Sequence, residues 1–380
     1  MRESWKIMKL GEVCKTGAGG TPLKAHKDYY EGGTIPWLLS GEVSQGDIYE
    51  AKKFITEKGL KNSSAKLFPP NTVLVAMYGA TAGQVGVLRF EACTNQAVCG
   101  ILPNGITIPE YIFYCFLSKK DELVSQAVGG AQPNISQIKI KNTKIPLPPL
   151  PEQKRIVSIL DKTFAAIEKA KQNAQQNLKN AQELFESTKK DVLESLIGVA
   201  EKYSLPSICD KIFAGGDVPK DNFSKTKTDT YNVPIIANAV KDNGLYGFTD
   251  KIRVFKPAIT IAARGSGTGH TEIRNKPFYP IVRLLVLIPN IKLICLEFLK
   301  YSIQNLEILR SGSAIPQLTV PMIKGYSIPL PSLEEQKQIV QKLDTLSAET
   351  KKLEAIYQKK IVDLDELKKS VLQKAFNGEL

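Results

Sequence analysis

Few side chains in this 380-residue chain have the spacing that bond-making chemistry needs. The two histidines, His26 and His270, fall in turn-rich stretches, where contact with a ligand is better supported than acid–base catalysis. Asp217 and Asp221 are near one another in sequence, but their segment is basic and turn-rich, so both are expected to be solvated. The run GSGTG, Gly265 to Gly269, has glycines suited to a phosphate cradle. It lacks both GxGxxG spacing and a following Lys-Ser/Thr, so a tight turn is the better reading. No GxxxxGK[ST] sequence is present, which removes a P-loop motor. An amino-methyltransferase needs a tetrapeptide of the NPPY kind; the nearest strings, FPPN at Phe68 and QPN at Gln132, do not fit. Cys14, Cys93, Cys99, Cys115, Cys209 and Cys295 form no CxxC pair and read as buried thiols of a reducing cytoplasm. The expectation is a chain with no catalytic, cofactor or metal site of its own.

What the sequence does repeat is a helix junction. Ile145 to Asp161 reads IPLPPLPEQKRIVSILD, and IPLPSLEEQKQIVQKLD follows 183 residues later, at Ile328 to Asp344. Twelve of the seventeen positions are identical. The register extends upstream, where Gly129, Ala131, Pro133, Ile140 and Lys141 match Gly312, Ala314, Pro316, Ile323 and Lys324. A repeat this long means two copies of one large unit. The prolines stop the preceding structure and a long helix follows. Ser332 and Glu335 have capping-box spacing, whereas in the first copy Pro149 replaces the serine and Pro151 falls in the first turn.

No glycine or later proline interrupts either helix until Gly198 or Gly378. Leu160, Phe164, Ile167, Ala174, Leu178, Ala181, Phe185, Val192 and Leu196 recur every three or four residues or at multiples of that spacing. Leu343, Leu346, Leu353, Tyr357, Ile361, Leu364, Leu367, Val371 and Ala375 do the same in the second copy. This is a coiled-coil seam, interrupted by Lys171, Thr188 and Thr350. Helices of about 45 residues run about 65–70 Å. KKDVL (Lys189 to Leu193) matches KKSVL (Lys368 to Leu372) at an offset of 179, so the second helix is expected to be four residues shorter. Two amphipathic helices on separate cores are the plainer alternative. Seam positions left exposed would let the isolated chain self-associate.

The net charge of +13 is unevenly placed: +5 on residues 1–150, +1 on 151–198, +7 on 199–331 and zero on 332–380. A polyanion is drawn to the globular segments, while the near-neutral helices suit protein partners. Charge alone leaves nucleic acid and simple solubility both open. Met1 to Leu10 is short and polar, unlike a signal peptide, and the apolar stretch Ile281 to Leu299 is broken by Arg283, Pro289, Lys292 and Glu297. Parallel helices would require the second globular segment to carry the chain back some 65 Å. An antiparallel pair related by an approximate two-fold axis avoids this, and brings Leu380 near the start of the first segment.

The expected fold is therefore α+β: two globular modules joined by two long antiparallel coiled-coil helices. The expected domains are residues 1–148 and 199–331, with helical spacers 149–198 and 332–380. In the first module TGAGGTP (Thr16 to Pro22) is a turn-rich loop, IPWL (Ile35 to Leu38) and NTVLVAMYG (Asn71 to Gly79) are strands, and Tyr111 to Leu123 has helical spacing. The second echoes it with AGGDVP (Ala214 to Pro219), VPII (Val233 to Ile236), AITIAARGSGTG (Ala258 to Gly269) and a helix over Leu293 to Leu309. The glycine pairs Gly19–Gly20 and Gly215–Gly216 are expected to permit positive φ.

The IPLPPLPEQ-type junction, the GGTP loop followed by IPW, the long helices and the duplicated layout resemble the specificity (S) subunit of Type I restriction–modification systems. The likeness covers essentially the whole chain; the doubled junction with its EQK-I-V continuation is its most specific part. It implies two target-recognition domains, each with a curved sheet and helices, reading the two halves of a split double-stranded DNA site. It implies that the helices dock two methyltransferase subunits and set the gap, and that restriction motor–nuclease subunits join them. S-adenosylmethionine, ATP and Mg are implied in those partners, none in this chain. One departure is that GGTP becomes GGDVP and Trp37 is matched by Ile235.

Reading DNA calls for Arg or Lys at guanine and phosphate, Asn or Gln at adenine, and Ser or Thr as adaptable partners. In the first module the candidates are Lys24, Lys27, Tyr30, Lys61, Asn62, Ser63, Tyr78, Thr81 and Gln84. In the second they are Lys220, Asn222, Lys225, Asn238, Lys241, Asn243, Arg264, Ser266 and His270. The competing reading is a coiled-coil scaffold whose basic ends bind nucleic acid without sequence preference.

Overall fold

A computed structural model describes residues 5–43, 46–125, 134–219, 221–265, 267–306 and 317–380. Lys220 and Ser266 lie outside the described residues, as do Gly129, Ala131, Gln132 and Pro133 with their counterparts Gly312, Ala314 and Pro316. The chain divides into two compact units, Met1–Ala174 with Lys359–Leu380, and Gln175–Gln358. Each unit therefore contains one globular module and part of each long helix.

In the first unit, Lys6–Lys9 pairs antiparallel with Lys144–Leu147, the strand that leads into the first long helix. Val73–Ala76 lies between Val85–Leu88 and Val98–Ile101. These strands are continuous runs of buried apolar residues, as expected where both faces are covered. Thr16–Ala18 closes one edge of this sheet, so the first three residues expected in a loop form a strand instead. A second sheet carries Ile35–Leu38 parallel to Ala92–Thr94. The helix expected over Tyr111 to Leu123 is two, Pro109–Ser118 and Lys120–Ser125, with Lys119 as the break.

The second unit repeats this plan. Lys202–Ser204 pairs with Ser327–Pro329 before the second long helix. Ala258–Ile261 lies between Thr271–Arg274 and Leu285–Pro289, and Cys209–Ala214 flanks the latter. Val233–Ile236 runs parallel to Tyr279–Pro280. The later helix is Leu296–Gln304.

The glycine pairs have a different purpose from the one expected. None of Gly19, Gly20, Gly215 and Gly216 has positive φ. A Cβ on Gly19 would lie 2.1 Å from the Thr94 hydroxyl, on Gly20 2.3 Å from Ala65 N, and on Gly215 2.7 Å from the Pro280 carbonyl carbon. At these three positions close packing against backbone, not conformational freedom, excludes a side chain, whereas Gly216 faces only the end of the Arg253 side chain.

The long helices are Leu150–Glu194 and Leu333–Asn377, each of 45 residues. The expected four-residue shortening is absent. The second helix continues from Leu372 to Asn377 because Ala375 and Phe376 enter the first module's core, where Phe376 meets Tyr111 at 5.3 Å between ring centroids. The first helix ends just after Leu193, and Ile197 turns out to 55% exposure.

The helices run antiparallel in each unit. In the first, Arg155 donates to the Leu380 carbonyl at 2.8 Å, and Lys171 donates to Asp365 at 2.7 and 2.9 Å. In the second, Gln182 meets Glu354 at 3.4 Å, while Leu193 shares a core with Ile339 and Val340. Leu160, Ile167, Ala174, Ala181 and Leu343 are buried as the seam requires. Thr350 is buried too, with its hydroxyl donating to the Leu346 carbonyl at 2.9 Å. Leu353 and Leu367 depart from the expected seam, being 39% and 47% exposed.

One buried glutamine at each junction ties module to helix. Gln153 accepts from Ile108 N at 3.0 Å and donates to the carbonyls of Ile106 (3.1 Å) and Pro148 (2.9 Å). Gln336 accepts from Cys295 N at 3.0 Å and donates to the carbonyls of Leu293 and Pro331, both at 2.9 Å. Both side chains are fully buried, so the amide of the EQK glutamine satisfies itself on three backbone groups and thereby ties the module to the helix.

Candidate nucleic-acid interface

The two modules place a surface pair at the same point of the same scaffold. Beyond strand Val73–Ala76, Met77 O accepts from Ile135 N at 2.8 Å, and Tyr78 forms a backbone bridge with Asn134. Beyond Ala258–Ile261, Ala263 O accepts from Leu318 N at 2.9 Å, and Arg264 bridges to Gln317. The Arg264 guanidinium also donates to Gln317 Oε1 at 3.3 Å. Tyr78 and Arg264 are both exposed. A tyrosine beside an asparagine in one module thus becomes an arginine beside a glutamine in the other. All four can engage base edges or the sugar–phosphate backbone. Asn134 and Gln317 were missed as candidates, although the repeat places them one residue after Pro133 and Pro316.

Several candidates face solvent. Lys24, Lys27, Lys61, Lys225 and Lys241 are exposed. Lys225 Nζ lies 4.5 Å from the ring centroid of Tyr246 and 5.6 Å from that of Phe223, a cation–π arrangement that holds the ammonium at the surface. Thr81 and Gln84 are half-buried in the turn after Tyr78, where the Thr81 hydroxyl donates to the Tyr78 carbonyl at 3.2 Å.

Other candidates are held by local structure. The Tyr30 hydroxyl donates to the Pro22 carbonyl and its ring stands edge-on to Trp37, whose indole N–H donates to Gly20 O at 3.0 Å. Desolvation raises the Tyr30 pKa. Asn62 donates to the Lys58 carbonyl at 2.9 Å and Ser63 accepts from Ala65 N at 3.2 Å. Asn222 donates to Asp250 at 3.0 Å. Asn238 accepts from Ala263 N at 2.8 Å and donates to the Val282 carbonyl, which makes it a clamp between two loops. Asn243 occupies positive φ beside Asp242, and its carbonyl accepts from Arg274 at 2.7 Å. His270 Nε2 lies 3.3 Å from Glu272 Oε1, while His26 stacks on Tyr29 at 4.8 Å and faces Asp28.

An open pocket in the second module is lined by Asn238, Arg264, Gly265, Val282 and Gln317. Gly267–Gly269 beside it is a turn, with Thr268 N donating to Gly265 O at 3.1 Å and positive φ at Gly265 and Gly269. Among the described residues no His, Cys, Asp and Glu cluster could hold a metal ion. Every cysteine is a free thiol; burial pushes Cys93 up to about 11 and Cys99, Cys115 and Cys209 up to about 12. No described helix is long and apolar enough to cross a membrane.

A family model described as the Type I restriction modification DNA specificity domain matches residues 2–176 and again 200–361. The Escherichia coli EcoR124I/EcoR124II specificity subunit is 31% identical over 42% of this chain, and the match spans 40% of that protein's length. A putative type I specificity subunit of Mycoplasma pneumoniae, S.MpnORF89P, is 31% identical over 68% of this chain and 78% of its own. A solved structure from a study of complex assembly and conformational transition of the type I R-M system has a TM-score of 0.82 at 22% identity, covering 100% of this chain and 99% of that one. The doubled module, the doubled junction and the doubled match together place this chain in the family of Type I restriction–modification specificity subunits.

Proposed function

We propose that the chain is the non-catalytic DNA-recognition subunit of a Type I complex in the cytoplasm. Each module reads one half of an asymmetric, interrupted site in double-stranded DNA. The long helices dock two methyltransferase subunits, which use S-adenosylmethionine, and restriction motor–nuclease subunits using ATP and Mg join that assembly. The observation that carries this reading is the pair of equivalent bridges, Tyr78–Asn134 and Arg264–Gln317. One scaffold presenting different base-reading chemistry twice is what an asymmetric two-part site requires. The exposed lysines supply phosphate contacts that position each module. Lys24, Lys27, Lys61, Lys225 and Lys241 serve this purpose, as does Lys220. Arg264 and Gln317 line the second module's pocket, with Ser266 and His270 close to Arg264 in sequence; Tyr78 and Asn134 hold the corresponding place in the first, with Thr81 and Gln84 close to Tyr78 in sequence.

The test is a methylation map of a host without other adenine methylation, expressing this chain with its cognate methyltransferase subunit. A split motif with a fixed gap, absent when the chain is omitted, is expected. A folded complex that yields no motif would favour a scaffold without sequence preference. Methylation by the chain alone would overturn the non-catalytic assignment.

A further inference from the structure

One turn of the second module has a backbone that its residues disfavour. Val282 and Arg283 have φ of 52° and 60°. Consecutive positive φ values normally belong to Gly, Asn or Asp, and a β-branched residue is an outlier there. The conformation is clamped on several sides. Val282 N donates to Gly216 O at 2.8 Å, Arg283 N to Gly215 O at 3.2 Å, and Leu284 N to Ile281 O at 3.1 Å. The Asn238 amide donates to the Val282 carbonyl.

The first module shows that the fold does not require this. Its equivalent turn is Asn95 to Val98. Asn95 N donates to Leu38 O at 2.9 Å, as Ile281 N does to Ile236 O at 2.9 Å. Val98 N donates to Asn95 O and Gly19 N to Val98 O, matching Leu284 N to Ile281 O and Gly215 N to Leu284 O. Gln96 and Ala97 stand where Val282 and Arg283 stand, and neither has positive φ. The same scaffold closes with an ordinary turn in one module and a strained one in the other. Strain retained against an available alternative points to function.

What the strained turn displays is an arginine without a side-chain partner among the described residues. Val282 is 50% exposed and Arg283 is exposed. The other arginines among the described residues are engaged: Arg89 with Asp47 and Glu110, Arg155 with Glu152, Arg253 over Phe213, Arg264 with Gln317, and Arg274 with Thr260 and Asn243. No carboxylate among the described residues pairs with Arg283. Its neighbour Val282 lines the pocket that holds Arg264 and Gln317.

We propose that Arg283 is a base-reading residue of the second module, offering its guanidinium fork to O6 and N7 of a guanine. This rests on the DNA-recognition reading above and extends it to a residue and a base. A phosphate contact needs only charge, which mobile lysines supply; a fork aimed at two acceptors needs a fixed backbone. Ala97 at the equivalent place cannot make this contact, so the guanine belongs to the second module's half-site alone.

The experiment maps methylation by the full chain with its methyltransferase subunit, carrying Arg283→Lys or Arg283→Ala. Both are expected to relax one guanine in one half-site, raising methylation at mismatched sites about tenfold or more relative to the cognate. The other half-site and the gap stay as in the parent, which also shows that the variants fold. If Arg283→Ala abolishes methylation, binding of the Arg283→Lys complex to duplexes with each base at that position reads the discrimination directly; equal binding would overturn the assignment. A parent motif retained by Arg283→Ala, or a partial loss of methylation equal at all sites with no position relaxed, would also overturn it, while leaving the DNA-recognition reading intact. Absence of any motif from the parent complex would defeat both.

Discussion

The Tyr114 hydroxyl donates to Asp161 Oδ1 at 2.6 Å, fastening the helix Pro109–Ser118 to the first long helix. Tyr301 makes the same bond to Asp344, also at 2.6 Å, in the second unit. Burial, and then the carboxylate, push both tyrosine pKa values well above the usual range. Folding thus favours the protonated phenol. The stability this contributes is present below the ordinary tyrosine value near pH 10 and is lost as pH rises towards the folded values. Tyr114→Phe should cost about 1 kcal/mol at neutral pH, the Asp161 side being open to solvent. It should also flatten the alkaline limb of a denaturation-midpoint profile. An unaltered limb would mean the bond adds nothing.

Gln153 gives a sharper prediction, because its fully buried side chain relies on three backbone groups for its hydrogen bonds. Gln153→Glu keeps the acceptor for Ile108 N but turns a carboxylate towards two carbonyl oxygens. Urea unfolding should show a loss of about 3 kcal/mol or more. Gln336→Glu should do the same in the second unit. A loss below 1 kcal/mol for both would show that the junctions repack freely.

The caps of the two long helices should respond differently to acid. Ser332 N donates to Glu335 at 3.0 Å and Glu335 N to the Ser332 hydroxyl at 3.3 Å, a complete capping box. Bonds from the Ser332 hydroxyl and amide hold the Glu335 carboxyl below its ordinary value. Its contribution is present above that value and disappears as pH falls through the folded one. Ser332→Ala should cost about 1 kcal/mol at neutral pH and less below pH 4. At the first helix Glu152 holds the place of Glu335, but Pro149 offers it neither an N–H nor a hydroxyl and it bonds Arg155 instead, so Pro149→Ala should show no such acid dependence in thermal melts.

Helix length should act on the gap rather than on the half-sites. Removing one heptad from Leu150–Glu194 preserves the face each residue presents, within about 20°. Methylation mapping should then report a changed gap with both half-site sequences retained. The original gap in the shortened chain would end the idea of a helical ruler.

The repeat, the two long helices and their proline-bounded starts were legible because each rests on local rules. Proline cannot donate, a serine three residues before a glutamate closes a capping box, and a helix buries residues at intervals of three or four. Even the strand pairing of IPLP leaves its trace in alternating apolar residues. The length of the second helix was not legible. KKSVL lies four residues early, but Phe376 finds an aromatic partner in Tyr111, more than 260 residues away in sequence, and the helix continues to meet it. The glycine pairs likewise signalled a special backbone without revealing which kind, since it is Thr94, Ala65 and Pro280 that crowd them.

Candidate contacts divide in the same way. Residue type alone nominated Asn238, Tyr30 and Asn222, whose polar groups the fold uses for itself. It passed over Asn134 and Gln317, because what qualifies them is a bridge to Tyr78 or Arg264 across about fifty residues of chain. It also passed over Arg283, which looks like one more charge in an apolar stretch until the clamped turn beneath it is seen. Sequence carries chemistry and local geometry. Which polar groups remain free for a partner depends on how distant segments satisfy one another, and that only the tertiary structure decides.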